Sequence, residues 1–352
     1  MSERKINLRK TVNRLILLIS LGIAAHIIFV LSTTEKSLLS YLNRLDVWHV
    51  LIIMGLLFTP WSLYALRVYI WSKFLGEKIT YRDLLRIVIT SEMASAVSPP
   101  AVGGAPVKAA LLLNYGFSAG SAGFLLAYGV IEDIIFYATG ILFATFLSIG
   151  VISDIKIAVG SFVSAHAMWM LIVIGILIVY ISLLKSGRMP RQLKLTNYFS
   201  VGMKRKLVQF QSKLNEAFTD LRANFKIALQ SGKLVMLVSI SLLFLQWMAR
   251  FSILLVILHA FGIDFDAIQM YLRQWIVYVT MLFIPTPGAT GGAEAFFLLI
   301  FGHSIPKDIS FLIVSLWRFC TYYLVLMMAV ILYNVISFFF KPTDEIVIEE
   351  KD

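Results

Sequence analysis

Ten residues, PTPGATGGAE at positions 285–294, interrupt an apolar part of the chain. The helix-breaking residues among them are Pro285, Pro287, Gly288, Gly291 and Gly292. The apolar stretches on either side, 267–284 and 295–301, are each shorter than the ~20 residues that a helix needs to cross a bilayer. Because non-helical backbone is tolerated at membrane depth only where protein surrounds it or where it lines a wet cavity, the segment predicts a re-entrant hairpin over residues 267–301.

A second copy of this pattern, SPPAVGGAPVK, occupies positions 98–108. When Gly103 and Gly104 are superposed on Gly291 and Gly292, Pro99 falls on Pro287. The agreement extends to charged residues on both sides, with Arg67 and Glu132 around the first tip and Arg250 and Arg318 around the second. The match in tip, flanks and order predicts an internal duplication: repeat 1 at about 47–150 with a hairpin at 81–117, and repeat 2 at about 234–340 with the hairpin at 267–301.

Composition indicates a membrane protein. Of the 352 residues, 59% are hydrophobic and only 14% are charged, against about a quarter charged in soluble domains. The net charge of +11 is typical of cytoplasmic loops next to anionic lipid, so we expect membrane lipids and no nucleic acid as partners. The single cysteine, Cys320, excludes an internal disulfide and a thiolate metal cluster.

Hydropathy predicts an all-α polytopic membrane protein with a single integral membrane domain over residues 1–340 and an acidic cytoplasmic tail over 341–352. Six transmembrane helices are predicted, at 15–31, 47–70, 119–149, 157–184, 234–261 and 309–340. The basic segment 185–233 is predicted to be cytoplasmic, with an amphipathic helix over 203–230 on the inner leaflet.

The distribution of positive charge predicts that both termini are cytoplasmic and that the protein lies in the cell membrane. With that orientation the first hairpin opens to the cytoplasm and the second opens to the outside. The two repeats are then inverted relative to each other, an arrangement typical of secondary transporters with a site at the repeat interface.

Charged residues inside spans are costly and are therefore candidates for function. We predict that a head group contacts Arg67, Lys108, Glu132, Arg250, Glu294 and Arg318. The arginines suit a phosphate because their planar guanidinium groups bind it with two hydrogen bonds. The alternatives are structural ion pairs across the repeats and, for Arg67, a side chain that reaches the interface.

The tips are candidates for the same ligand. Helices that begin after Gly104 and Gly292 would present backbone N–H groups and a positive dipole end to an anion. The tip residues with this predicted role are Pro99, Gly103, Gly104, Pro285, Pro287, Gly288, Gly291 and Gly292. The alternative is that the glycines only permit tight packing of the tips.

Signs of catalysis are weak. The five histidines, at positions 26, 49, 166, 259 and 303, lack metal-ligand spacing, and the sequence contains neither GxSxG nor a Walker A motif. We therefore predict no catalytic residues, no metal and no cofactor, and we expect that the protein is not an enzyme.

With the tip at 285–294 and the later RFCTYY at 318–323, the chain resembles the membrane flippase domain of lysylphosphatidylglycerol synthases/flippases over residues 10–340. The resemblance implies translocation of an aminoacylated or other anionic lipid between leaflets. The family's first repeat usually has Glu-Arg followed by an Asp one turn later, whereas here Glu132 is followed by Asp133 and Phe136. Because the chain ends twelve residues after Phe340, we expect the stand-alone form without the aminoacyltransferase domain.

These observations favour a lipid flippase for an anionic, aminoacylated or other phosphate-headed lipid. An ion-coupled secondary transporter of a small anionic solute is the main alternative, and a closed cavity without a lateral opening would favour it. A membrane-embedded lipid-modifying enzyme would need a carboxylate or histidine pair that converges on one point. A structural partner would tolerate removal of the charges at Arg250, Glu294 and Arg318. Assembly into a homo-oligomer is left open.

Overall fold

The computed structural model describes residues 44–98, 103–147, 201–284, 286–302 and 304–339, and in these residues the protein is all-helical. The predicted spans at 15–31 and 157–184, the first part of the basic segment and the acidic tail lie outside the described residues. The same is true of the tip residues Pro99 and Pro285.

The first half contains a long helix, a pair of short helices and a second long helix. These are α1 (Val47–Phe74), α2 (Tyr81–Val97), α3 (Gly104–Asn114) and α4 (Ala119–Leu147). Asp46 caps α1: its Oδ1 accepts a hydrogen bond of 2.9 Å from the backbone N–H of His49, and this bond lowers the pKa of the carboxyl group. The α2–α3 pair lies within the predicted hairpin at 81–117.

The second half repeats this order. After α5 (Val201–Ser231), its elements are α6 (Lys233–Ala260), α7 (Ala267–Met281), a 3₁₀ turn (Pro287–Ala289), α8 (Gly292–Phe301), α9 (Ser310–Arg318), a π turn (Phe319–Tyr323) and α10 (Leu324–Phe339). Asp266 caps α7, because its carboxylate accepts from the backbone N–H groups of Ile268 and Gln269. The predicted hairpin at 267–301 coincides with the α7–α8 pair.

Four helical segments of the described residues are long and apolar enough to cross a membrane: Val47–Phe74, Ala119–Phe143, Lys233–Ala260 and Ser310–Val335. Each also exposes large apolar side chains, among them Leu51, Leu142, Leu237 and Ile331. Exposure of this kind on several helices of a soluble protein would be unusual. It fits a surface that faces lipid tails.

Helices α1 and α6, which the predicted duplication would make equivalent, pack against each other along their length. They run antiparallel, since His49 Nε2 lies 3.4 Å from His259 Nδ1 at one end and Trp71 Nε1 donates to Ser239 Oγ at 3.1 Å near the other. The short helices pack reciprocally: α2 of the first half contacts α10 of the second, and α7 of the second contacts α4 of the first. Both halves therefore contribute to each side of the bundle.

Helix α5 is the amphipathic helix that the basic segment predicts, and it lies along α4. Gly120 allows the approach, because a Cβ at this position would overlap Asp220. Leu221 is buried against the cluster around Phe124, while Lys226 on the same helix is exposed. The apolar face of α5 thus anchors the helix to the bundle.

Candidate functional site

A cavity of about 240 Å³ lies where the two halves meet. Its walls come from α1, α2, α4, α6, α7, the 3₁₀ turn, α9, the π turn and α10. Among the predicted head-group residues, Arg250 and Arg318 line it, together with the tip residue Gly288. The two guanidinium groups can each donate hydrogen bonds to the negatively charged oxygen atoms of a ligand in this cavity.

Arg318 is 2% exposed and is held from two sides. Its Nε lies 2.9 Å from Glu294 Oε1, and its Nη2 donates to the carbonyl oxygen of Gly288. The guanidinium carbon is 4.4 Å from the ring centroid of Tyr322, whose hydroxyl donates to Ala96 O at 2.9 Å. Arg318 is therefore fixed against the second tip, and the π turn that follows it carries the aromatic side chain that it stacks on.

Arg250 is held more loosely. Its Nη2 lies 3.7 Å from Glu92 Oε2, and both side chains are partly exposed, 23% for the arginine and 35% for the glutamate. The guanidinium carbon lies 5.2 Å from the ring centroid of Trp247. Because Arg250 is on α6 and Glu92 is on α2, this pair joins the two halves across the cavity.

Arg67 and Glu132 lie elsewhere, in a buried network between α1, α4 and α6. Arg67 Nη2 donates to Glu132 Oε2, and Arg67 Nη1 donates to Gln246 Oε1 at 2.9 Å. Ser239 Oγ donates to the other oxygen of Glu132. The arginine and the glutamate are 3% and 2% exposed, and neither lines the cavity.

Lys108 is also buried and also away from the cavity. Its Nζ donates to Tyr64 Oη at 2.8 Å and lies 4.4 Å from the centroid of the same ring. The Arg67 guanidinium lies on that ring as well, at 5.4 Å. The six predicted head-group residues thus divide in two: Arg250, Glu294 and Arg318 lie at the cavity or next to it, and Arg67, Lys108 and Glu132 lie in the first half.

Four of the described tip glycines are closely packed. A Cβ at Gly103 would lie 2.8 Å from Ala94 O, and one at Gly104 would lie 2.7 Å from Ser91 O. In the second tip a Cβ at Gly288 would overlap the Tyr322 ring, and one at Gly292 would overlap Ile284. Glycine at these four positions therefore permits tight packing, and a contact of the tips with a ligand stays a prediction.

The backbone N–H groups at the tips already have acceptors at two positions. The N–H of Gly103 donates to Ser98 Oγ at 2.8 Å, and the N–H of Gly291 donates to Glu294 Oε2 at 2.7 Å. Gly291 has a φ of 86°, and a Cβ there would meet nothing within 4 Å. Pro287 begins the 3₁₀ turn, so the tip is a tight turn that Glu294 closes.

Two parts of the cavity wall are not among the predicted head-group residues. Glu92 is a charged residue on a hairpin arm, but it was not among the predicted head-group residues. Five aromatic side chains also line the cavity: Trp61, Tyr137, Trp247, Tyr278 and Tyr322. The sequence signal for Glu92 was the rarity of charged residues in the hairpin arms. Which aromatic side chains face the cavity depends on helix rotations that a single sequence does not specify.

The apolar spans, the charged interior and the cavity between two similar halves define a polytopic α-helical membrane protein. The chain belongs to the family described as the lysylphosphatidylglycerol synthase TM region, whose model matches residues 17–329. The resemblance inferred from the tip motif is confirmed. A UPF0104 membrane protein of Archaeoglobus fulgidus is 27% identical over 318 residues, which cover 87% of this chain and 92% of that protein.

Proposed function

We propose that the protein is a lipid flippase of the cell membrane that moves an anionic, aminoacylated or other phosphate-headed phospholipid between leaflets. The observation that carries the proposal is the pair Arg250 and Arg318 on one cavity at the junction of the two halves. The cavity, at about 240 Å³, is smaller than the ~300–1,000 Å³ of sites for drug-sized ligands. It therefore suits a head group, while the acyl tails stay in the bilayer.

The proposal includes six transmembrane helices and two re-entrant hairpins in an inverted repeat. The antiparallel packing of α1 on α6 supports it, since equivalent helices of inverted repeats run in opposite directions. The reciprocal contacts of α2 with α10 and of α7 with α4 support a two-fold relation between the halves. In this arrangement one tip gates the cavity from the cytoplasm and the other from outside, with both termini cytoplasmic.

In the proposed mechanism, the phosphate contacts Arg250 and Arg318. Arg318 is already oriented by Glu294 and Gly288 O, so little ordering remains when the ligand binds. The Arg250–Glu92 contact is long enough to open when an anion competes for the guanidinium. The protein supplies binding and access in this mechanism and no bond is made or broken, in keeping with the expectation that it is not an enzyme.

Lipid transfer in liposomes tests the proposal. Purified protein is reconstituted with acyl-labelled fluorescent phosphatidylglycerol, and transfer between leaflets is followed by quenching. We expect transfer above that of empty liposomes, reduced at least about tenfold in Arg250→Ala and Arg318→Ala, since a hydrogen bond to a charged group contributes about 1.5–3 kcal/mol.

The matched control is Lys307→Ala, which removes an exposed positive charge away from the cavity and should leave transfer unchanged. Wild-type transfer equal to that of empty liposomes, with several head groups and with an imposed proton gradient, would contradict the proposal. Uptake of a small phosphate-containing solute by the same liposomes would then favour the ion-coupled transporter.

A further inference from the structure

We propose that Glu92 makes the cavity selective for a zwitterionic head group, one that carries a phosphate and an ammonium group. The inference rests on the proposed function, because it names the ligand of the same site. The carboxylate of Glu92 would contact the ammonium group, and the guanidinium groups of Arg250 and Arg318 would contact the phosphate.

The first observation is the balance of charge. Of the charged side chains on the cavity wall, two are arginines and one is Glu92, and Glu294 lies against Arg318. Two positive and two negative charges give no net charge among these described residues. A purely anionic head group would approach two carboxylates along with its arginines, and a like charge at short range opposes binding. A head group without net charge, with its own positive end, fits this arrangement.

The second observation is the geometry of the Arg250–Glu92 pair. Its closest atoms are 3.7 Å apart, against 2.9 Å for Arg318 and Glu294. Charge-assisted hydrogen bonds are normally about 2.7–2.9 Å long. The carboxylate of Glu92 is also the more exposed member of its pair. An ammonium and a phosphate can therefore enter between the two side chains and each take the partner of opposite charge.

The third observation is the aromatic wall. Trp247 and Tyr322 already stack with Arg250 and Arg318, and Trp61, Tyr137 and Tyr278 complete the wall. Aromatic faces attract cations, and groups of them are how proteins recognise amines and quaternary ammonium ligands. An anion gains nothing from these rings. In one cavity, the carboxylate and the rings can therefore contact the ammonium group of a zwitterion, and the arginines can contact its phosphate.

The experiment compares two acyl-labelled lipids that differ only in the head group, phosphatidylethanolamine and phosphatidylglycerol, in liposomes that contain wild type, Glu92→Gln or Glu92→Asp. We expect wild type to transfer phosphatidylethanolamine faster. Glu92→Gln should lower that rate about tenfold relative to phosphatidylglycerol, because an ion pair is lost while volume is kept. Glu92→Asp keeps the charge and should keep the preference. Glu216→Gln, a change on the exposed face of α5, is the control.

A second measurement uses the soluble head groups glycerophosphoethanolamine and glycerol phosphate as probes of thermal stabilisation of the detergent-purified protein. We expect stabilisation by the zwitterion alone, lost in Glu92→Gln. Equal stabilisation by both compounds, or an unchanged lipid preference in Glu92→Gln, would overturn the inference and leave the flippase intact. Selective binding of the zwitterion without lipid transfer would uphold the inference and overturn the flippase, and uptake of the soluble compound would then identify a free solute as the source.

Discussion

The predicted duplication aligns Arg67 on α1 with Arg250 on α6, yet the surroundings of the two side chains are opposite. Arg67 and Glu132 are 4% and 3% exposed at the side chain, and Gln246 and Ser239 make further hydrogen bonds to the pair. Arg250 and Glu92 are 23% and 35% exposed and face a cavity. The first pair connects helices within a packed interior, and the second leaves room for a ligand.

A similar pattern of charge in the two halves thus has different surroundings in each half. A buried ion pair gains little net stability over an apolar equivalent, but the loss of one partner leaves an uncompensated charge. A partly exposed pair is weak and easily separated. We therefore expect the Arg67–Glu132 pair to stabilise the first half, and the Arg250–Glu92 pair, which joins the two halves, to be available for binding.

The largest effect is expected for Glu132→Ala. The change leaves Arg67 buried beside Gln246 without a countercharge, and removal of one partner of a buried pair costs about 3–5 kcal/mol. Thermal unfolding of the detergent-purified protein should show a markedly lower Tm and a poor yield. Glu92→Ala is the matched control and should change Tm little. Equal losses of Tm in both variants would show that the two pairs contribute equally to stability.

Arg318→Lys should have the next largest effect, on transfer rather than on stability. Arg318 contacts Glu294 and Gly288 O together, which an ammonium on a flexible stem cannot reproduce. The loss of one hydrogen bond to a charged group, about 1.5–3 kcal/mol, lowers lipid transfer roughly tenfold or more. Arg250→Lys removes only a contact of 3.7 Å and should lower transfer less. A larger loss in Arg250→Lys would contradict the assignment of Arg318 as the fixed anchor.

Gly288→Ala tests the second tip. Gly288 has a φ of 59°, and a Cβ there would overlap the Tyr322 ring, so the tip or the ring must shift. Overpacking typically costs about 1–3 kcal/mol, and we expect lower Tm and slower transfer together. Gly55→Ala on α1, where a Cβ meets nothing within 4 Å, is the control and should be neutral. Wild-type transfer by Gly288→Ala would show that the position of Tyr322 does not matter for the cavity.

The sequence predicted the broken tips well, because proline and glycine act locally. Helices α3 and α8 begin at Gly104 and Gly292, as the duplicated motif indicates. The amphipathic helix over 203–230 was also predictable, since its period depends on nearby residues alone. Re-entry of the hairpins and the inverted repeat remain predictions.

The pairing of the charges was not predictable. Glu132 aligns with Arg318 in the predicted repeat, yet it pairs with Arg67, while Arg318 pairs with Glu294. Which charges meet depends on helix rotation and on the distance between helix axes, and both are set by the packing of the whole bundle. The π turn after Arg318 was not predictable either, because a single extra residue per turn leaves no distinct pattern in the sequence.

The smallest effect is expected in two double-mutant cycles on stability. They compare the coupling free energy of the Arg250–Glu92 pair with that of the Arg67–Glu132 pair. For Arg250 and Glu92, which are partly exposed and 3.7 Å apart, the coupling free energy should be about 0.2–1 kcal/mol. For Arg67 and Glu132 the coupling should be several times larger, because each single variant leaves its partner charge buried. A coupling at Arg250 and Glu92 as large as that at Arg67 and Glu132 would mean that the cavity pair is a closed structural contact. A ligand could not then separate the two side chains at the low cost that both the flippase and the selectivity of Glu92 require.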